Sequence, residues 1–169
     1  MNVAPEIIAA LCRKHAPDLL TPTAWKGTAL DKAELLWGLS GNESSFGLNC
    51  TPRHEPGYCY NGRYFNPVSS RSWGCLAHCS FGPWQVMYAN FPVDVSPLSL
   101  MWESDGRVAA EVCCLGAVRL LNTILLRRPQ TLADIVLHYN GPGQVETYLS
   151  RLMDSMDRPM PVNTSEVTV

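Results

Sequence analysis

Residues 30–47 read LDKAELLWGLSGNESSFG, and this stretch decides the fold. Its first half combines helix-forming residues with apolar side chains around Trp37, and Gly41 is a usual helix stop, so we predict a helix from about Leu30 to Gly41. Glu43 would then follow the carboxyl end of that helix. A negative charge there opposes the helix dipole and costs about 0.3–1 kcal/mol. Glu43 is therefore the first candidate for a side chain with a chemical role.

Helical patterning extends to both sides of this stretch. Periodic apolar residues predict further helices over residues 5–15, 83–90, 104–127, 131–140 and a last one around Val145–Leu152. Thr131 and Asp134 form a weakened capping box at the start of the fifth helix. About six helices predict a mainly α (α+β) class with one domain over residues 1–157. The Pro-rich, polar residues 158–169 are expected to form a flexible tail.

One segment carries a β signal. Residues 58–65 read YCYNGRYF, in which Asn61-Gly62 fits a type I′ turn between aromatic residues that favour strands. We therefore expect a small β-hairpin wing beside the helices.

The bulk composition restricts the class of partner. The chain has 169 residues, 46% of them apolar and 17% charged, which is the mixture of a globular domain. A net charge of −2 gives no basic face for nucleic acid, so no nucleic-acid partner is expected. The most apolar stretch, Val112–Leu126, is short and interrupted by Arg119, so no membrane span is expected either.

Seven cysteines leave the redox chemistry open. Residues 50–79 contain four of them, together with His54 and His78. A zinc site is one alternative, but paired CxxC motifs are missing; one local disulfide, Cys50–Cys59 or Cys75–Cys79, is another. A chain made in a reducing compartment favours reduced, partly buried thiols. We therefore expect no metal and no cofactor, and no cysteine lies in a recognisable nucleophile motif.

Four segments, taken in order, carry a resemblance to a known family. They are NESSFG (42–47), SFGPWQVM (80–87), the long helix with Gly116, and IVLHYNGPG (135–143) followed by Tyr148. Together they resemble the soluble lytic transglycosylase family of the lysozyme-like superfamily, including its phage-type members, over residues 30–152. The second motif departs from the family with Pro83 and Trp84. The fourth has a histidine before Tyr139 and lacks an alanine after its asparagine, and a Cys-rich insert separates the first two motifs. These departures concern the shape of the groove more than the catalytic position.

The resemblance implies a lysozyme-like fold and a wall-cleaving activity. Glu43 would be the catalytic acid, and the Tyr139 hydroxyl would lie near its carboxyl group and orient it. The expected reaction cleaves the β-1,4 bond between N-acetylmuramic acid and N-acetylglucosamine and forms a 1,6-anhydro product. The glycan strands would be bound by polar and aromatic side chains, namely Ser44, Trp84, Gln85, Asn140, Glu55 and Tyr58.

Physical chemistry supports a buried acid at this position. A general acid must be protonated near neutral pH, and burial against apolar groups raises a carboxyl pKa. The catalytic glutamate of lysozyme is a known case of that effect. The apolar helix before Glu43, with Trp37, and Phe46 after it would supply this environment.

A second carboxylate would change the reaction. Glu55 precedes the predicted hairpin and would, if it faced the groove, assist hydrolysis in the manner of a muramidase. The alternative is a surface ion pair between Arg53 and Glu55. A third reading is a non-catalytic glycan-binding module of the same fold.

The amino terminus bears on where the protein acts. Residues 1–10 lack the basic start and apolar run of a secretory signal peptide. We expect a monomer made in the cytoplasm that acts on the cell wall. Its delivery by a phage particle, as an endolysin or virion-borne enzyme, or by a secretion machinery, as a bacteriolytic effector, stays open.

Overall fold

A computed structural model describes residues 2–60, 62, 72–92, 94–101 and 106–162. The described residues form five α-helices and one small sheet, which confirms the mainly α class. The helices are α1 Pro5–His15, α2 Lys32–Ser44, α3 Arg107–Leu125, α4 Leu132–Asn140 and α5 Val145–Met156. The strands are β1 Arg53–His54, β2 Cys79–Phe81 and β3 Val86–Met87, in the antiparallel order β1-β2-β3. We call this sheet the wing.

Helix α2 begins where the sequence predicts but ends later. The Asp31 carboxylate caps its start by accepting hydrogen bonds from two backbone amides, and the helix ends at Ser44, followed by a left-handed Ser45. The predicted end at Gly41 was therefore wrong. Gly41 lies within the helix, where its missing side chain leaves room for the Phe46 ring. Glu43 consequently lies within the last helical turn.

The core surrounds α2 and α3. Buried side chains from α1, α2, α3, α4 and α5 form one hydrophobic cluster, which also includes the wing residues Phe81 and Val86. By length and composition alone α3 would also fit a membrane span. However, 56% of its most apolar 18-residue segment is buried inside the fold. The core helix of a water-exposed domain can have the same length and composition.

The wing differs from the predicted hairpin. In the described part of residues 58–65, Tyr58 ends a short 3₁₀ helix, Pro56–Tyr58, and belongs to no strand. Asn61 and residues 63–65 lie outside the described residues. The observed strand pairs bring Arg53 opposite Ser80, and Ser80 opposite Met87.

The predicted helix over residues 83–90 was wrong. Residues 82–85 form a turn, in which Gly82 has φ 72° and Gln85 has φ 44°, and β3 follows directly. Such left-handed backbone angles cannot continue an α-helix. The backbone amide of Gln85 closes the turn by donating to the Gly82 carbonyl over 3.1 Å.

Two further expectations concern the carboxyl-terminal third. The capping box of Thr131 and Asp134 is confirmed at the start of α4. The domain boundary at residue 157 stays a prediction, and described residues just beyond it contact the helices. The Trp37 indole donates to the Arg158 carbonyl over 2.8 Å, and Arg13 donates to the Pro161 carbonyl over 2.7 Å. Residues 163–169 of the predicted tail lie outside the described residues.

Candidate functional site

A groove runs between the helices and the wing, with Glu43 in it. Two of its adjoining cavities, of about 300 and 210 Å³, share Glu43, Arg53 and Asn140. We call it the Glu43 groove. The larger cavity is lined by side chains from α2, the wing, the 82–87 turn and α4, namely Glu43, Arg53, Glu55, Tyr58, Gln85, Met87, His138, Tyr139, Asn140 and Gly141. Six of the eight predicted site residues are among them.

Glu43 is the most deeply placed carboxyl group of the groove. Its side chain is only 7% exposed. The Tyr148 hydroxyl donates to its Oε1 over 2.5 Å, and the Arg53 Nη2 donates to its Oε2 over 3.3 Å. Burial raises the pKa of Glu43, and this effect exceeds the opposing effects of Tyr148 and Arg53, which favour the charged form. The fold therefore favours a proton on Glu43 beyond the usual pH range of a glutamate.

Arg53 connects Glu43 to a second carboxylate. Its Nε donates to Glu55 Oε1 over 2.9 Å, while its Nη2 reaches Glu43. The ion pair predicted as the alternative for Glu55 is therefore present, and Glu55 also lines the groove. The same guanidinium group therefore contacts both carboxylates of the groove.

Gln85 lines the groove, but its side-chain amide forms hydrogen bonds with other residues of the protein. Its Nε2 donates to the Gly82 carbonyl over 3.0 Å and to the Thr51 carbonyl over 3.3 Å. Its Oε1 accepts from the Ser80 hydroxyl over 2.9 Å. Gln85 thus fixes the turn that forms one wall, and only part of its side chain faces the cavity.

The tyrosine that orients Glu43 is Tyr148 and not Tyr139. The Tyr139 hydroxyl donates to the Trp84 carbonyl over 2.6 Å. The prediction that this hydroxyl orients the Glu43 carboxyl group was therefore wrong, although the Tyr139 ring lines the groove. The motif drew attention to Tyr139, whereas Tyr148 lies on the next helix. Spacing offers a signal for Tyr148, since Val145, Leu149 and Leu152 share its apolar face of α5.

Two predicted substrate-binding residues lie away from the groove. Trp84 is fully buried, and its indole donates to the Leu36 carbonyl over 2.8 Å, so it packs in the core and presents no ring to a sugar. Ser44 is 2% exposed; its hydroxyl donates to the Ser40 carbonyl and accepts from the Gly47 amide. Ser44 therefore closes the end of α2. Both predictions were wrong because a turn and a helix end direct these side chains inward.

Arg53 was missed as a residue of the site. The sequence suggested it only as a partner of Glu55. Its contact with Glu43 joins β1 to α2, and a two-residue strand is too short to give a signal for that contact in the sequence.

A second cluster of polar side chains lies at the wing. His54, Cys59 and His78 each offer a nitrogen or sulfur atom, and these atoms lie within 4.8 Å of one another. We call these three residues the His54 cluster. All seven cysteines, each within the described residues, are free thiols, so neither alternative disulfide is formed. Burial raises the pKa of the Cys50 thiol to about 11, which leaves it protonated and unreactive at neutral pH.

A scan against protein-family models, a search of curated proteins and a search of solved structures find no match. The geometry of the groove is therefore the basis for assigning a function.

Proposed function

We propose that this chain is a peptidoglycan lytic transglycosylase with a lysozyme-like fold and with Glu43 as its acid. Its substrate would be the β-1,4 bond between N-acetylmuramic acid and N-acetylglucosamine in glycan strands. One observation carries the proposal: an almost fully buried glutamate, with its pKa raised by that burial, lies in an open groove. General acid catalysis of glycoside cleavage needs a carboxyl group in this state.

The proposed reaction uses one carboxyl group twice. Protonated Glu43 gives its proton to the glycosidic oxygen, the bond from that oxygen to the sugar C1 breaks, and positive charge develops on the ring. The Glu43 carboxylate then removes the proton of the same sugar's C6 hydroxyl. The C6 oxygen bonds to C1 and closes a 1,6-anhydro ring, and Glu43 is again protonated.

Tyr148 and Arg53 suit the second half of this cycle. Both donate hydrogen bonds to the Glu43 carboxyl group, and such bonds stabilise the charged form that exists after the first proton transfer. Burial favours the neutral form before it. The two opposing influences keep the carboxyl group able to act first as acid and then as base.

A hydrolytic muramidase is the second candidate, because Glu55 lines the same cavity as Glu43. Glu55 would then activate a water molecule or support the charged sugar. Against this, its Oε1 already accepts from Arg53 over 2.9 Å and lies 3.3 Å from the Ser80 hydroxyl. Glu55 is thus better placed to hold Arg53 than to act as a base, which favours the mechanism with one carboxylate.

The deciding experiment is product analysis on purified sacculi with the wild type and Glu43→Gln. We expect the wild type to release muropeptides with 1,6-anhydro ends, and the variant to lose about 10²- to 10⁴-fold in rate, the usual contribution of general acid catalysis. Glu34→Gln is the matched control, because it makes the same change at an exposed position of the same helix. It should cleave at the wild-type rate.

Three outcomes separate the readings. Reducing ends in place of anhydro ends would show hydrolysis, and Glu55→Gln should then also be inactive. Glycan binding without any cleavage by the wild type would leave a non-catalytic module. Cleavage by Glu43→Gln at the wild-type rate would contradict both enzymatic readings, provided that circular dichroism shows it folded.

A further inference from the structure

The His54 cluster brings together three segments of the chain. His54 lies in β1, Cys59 follows the 3₁₀ helix Pro56–Tyr58, and His78 ends the 3₁₀ helix Gly74–His78. The Cys59 Sγ is 3.0 Å from the His54 Nε2, and the two imidazole rings have centroids 6.5 Å apart. One ligand atom from each residue lies within 4.8 Å of the other two.

The types and spacing of these atoms suit a transition metal. Imidazole nitrogen and thiolate sulfur are the ligands that Zn²⁺ takes in proteins, at about 2.0–2.1 and 2.3 Å. A tetrahedral site with such bonds separates its ligand atoms by about 3.5 Å. One ligand-atom distance in the cluster is 3.0 Å and none exceeds 4.8 Å, so side-chain rotations would bring all three atoms to one ion.

The backbone of the wing supports the placement of the ligands. His54 and Cys79 are direct partners in the β1–β2 register, and partners across a ladder present their side chains on the same face of the sheet. Successive strand residues point to opposite faces, so His54 and Cys79 share the face opposite to that of Arg53 and Ser80. Cys79 is therefore on the same face of the wing as His54.

From this geometry we infer that His54, Cys59 and His78 form a binding site for a divalent transition metal, zinc in the first instance. On binding, the Cys59 thiol gives its proton to solvent, and the thiolate and the two neutral imidazoles donate electron pairs to the ion. The ion joins β1 to both 3₁₀ helices and closes the chain between Cys59 and His78. It is a structural site for the wing, and it does not depend on the proposed function.

The site would also act on the Glu43 groove through the neighbouring residues. Arg53 precedes His54 in β1, while Glu55 and Tyr58 lie between His54 and Cys59 and line the larger cavity. An ion that fixes His54 and Cys59 therefore fixes the backbone of that wall. Its removal should loosen the wall without touching Glu43 itself.

The test measures metal binding directly. The full chain is purified without a metal-binding tag, stripped with a chelator and titrated with Zn²⁺ and with Co²⁺. We expect one equivalent of Zn²⁺ per chain, and a Co²⁺ complex with the charge-transfer absorption of one or two thiolates. His54→Ala and Cys59→Ser should each weaken Zn²⁺ binding by about 100-fold or more, since loss of even an outer-shell partner costs about 10- to 100-fold.

Matched controls remove the same groups elsewhere. His138→Ala and Cys12→Ala each delete a histidine or a thiol outside the cluster and should keep one tight equivalent of Zn²⁺. Bound Zn²⁺ should also protect Cys59 from alkylation by iodoacetamide, as read by mass spectrometry of the peptide. The Co²⁺ spectrum of the wild type needs no variant, so it decides the matter even if a substituted protein does not fold.

Several results would overturn the inference. They are wild-type protein that binds less than one-tenth of an equivalent of Zn²⁺, a Co²⁺ complex without sulfur ligation, Cys59 found in a disulfide, or His54→Ala and Cys59→Ser binding Zn²⁺ as tightly as the wild type.

Discussion

At the scale of single residues, Glu43 is subject to opposed influences that differ in kind. Burial acts on any charge at that position, whereas Tyr148 and Arg53 act through hydrogen bonds of defined geometry. Removing one donor therefore changes the pKa of Glu43 without opening the site to water. This makes the contribution of each donor measurable.

Replacing Tyr148 with Phe should move the alkaline limb of the pH–rate profile upward. The hydroxyl lowers the pKa of Glu43 by donating to its carboxylate, so its loss lets burial raise that pKa further. A hydrogen bond to a charged group contributes about 1.5–3 kcal/mol, so the upward shift of the limb should be measurable. The measurement is the initial rate of wall cleavage between pH 4 and 9.

Tyr139→Phe is the matched control for that shift. It deletes the same hydroxyl from the neighbouring ring, but that hydroxyl donates to the Trp84 carbonyl and not to Glu43. Its limb should stay at the wild-type pH, while stability falls by about 1 kcal/mol. An equal shift in both variants would mean that Tyr148 has no specific contact with the acid.

The sequence predicts Glu43 as a site residue but does not predict which residues donate hydrogen bonds to it. The NESSFG motif places the carboxyl group on a helix end, and that information is local. Which tyrosine meets it depends on how α5 crosses α2; the apolar spacing around Tyr148 indicates a buried face but not the partner of its hydroxyl. Arg53 depends in the same way on a two-residue strand that has too few residues for a periodic signal.

At the scale of elements, the contact between α2 and α5 positions the acid. A side chain at Gly38 would come within 2.3 Å of Met156 Cγ, and one at Gly41 within 2.4 Å of the Phe46 ring and 2.9 Å of Ser155 Cβ. These glycines let the two helices approach closely. The same approach brings Tyr148, near the start of α5, to Glu43 near the end of α2.

Gly41→Ala should therefore destabilise the protein, although alanine favours helices. The propensity gain is about 1 kcal/mol, but overpacking costs about 1–3 kcal/mol, and the close neighbour here is a rigid aromatic ring. We expect a net loss of about 1–2 kcal/mol in the free energy of unfolding, measured by urea denaturation. At Gly143 an added Cβ meets nothing within 4 Å, so Gly143→Ala should change it by less than about 0.5 kcal/mol. Equal stabilities of the two variants would contradict the close packing.

The limits of sequence reasoning differ between elements. Long periodic segments such as α3 are recognised, because one buried face repeats over several turns. The segment 83–90 was misassigned as a helix because left-handed Gly82 and Gln85 turn the chain into β3, and the identity of Gln85 does not predict a positive φ. The Gln85 side-chain amide is held there by a local hydrogen bond to the Gly82 carbonyl and a tertiary one to the Thr51 carbonyl.

At the scale of the whole molecule, the buried acid opposes folding at neutral pH. The folded-state pKa of Glu43 lies above its ordinary value of 4.5, so its contribution to stability is complete below that pH. As the pH rises, the unfolded chain releases the proton first, and the contribution is lost up to the folded pKa. The protein should therefore be less stable at pH 7 than a variant with a neutral group there.

Glu43→Gln should raise the midpoint of thermal unfolding at pH 7 by a few degrees, since about 1 kcal/mol corresponds to roughly 2–4 °C in a domain of this size. The difference should vanish near pH 4, where both side chains are neutral. Differential scanning calorimetry across this pH range is the measurement, with Glu34→Gln as the exposed counterpart. A constant difference at every pH would show that the titration of Glu43 is not its cause.

The class of the molecule followed from the sequence, whereas its assembly did not. Apolar spacing and Pro and Gly breaks predict a mainly helical domain, and the described helices confirm it. The docking of Arg158 and Pro161 on the domain was not foreseen, because a Pro-rich polar segment has no periodic pattern. Such contacts depend on Trp37 and Arg13, which are far away in the chain.

The two-residue strand β1 limits which changes in chain length the protein tolerates. The side chains of Arg53 and His54 point to opposite faces of the sheet. Inserting or deleting one residue just before β1 would shift its register by one residue, and the two side chains would exchange faces. The Arg53 guanidinium would then lose its contacts with the two carboxylates, and the His54 imidazole would leave the His54 cluster. One insertion or deletion would cause both losses. Related chains should accordingly keep the number of residues between Glu43 and Arg53 constant. They should vary in length between Cys59 and His78, where an added residue leaves the register of β1 unchanged.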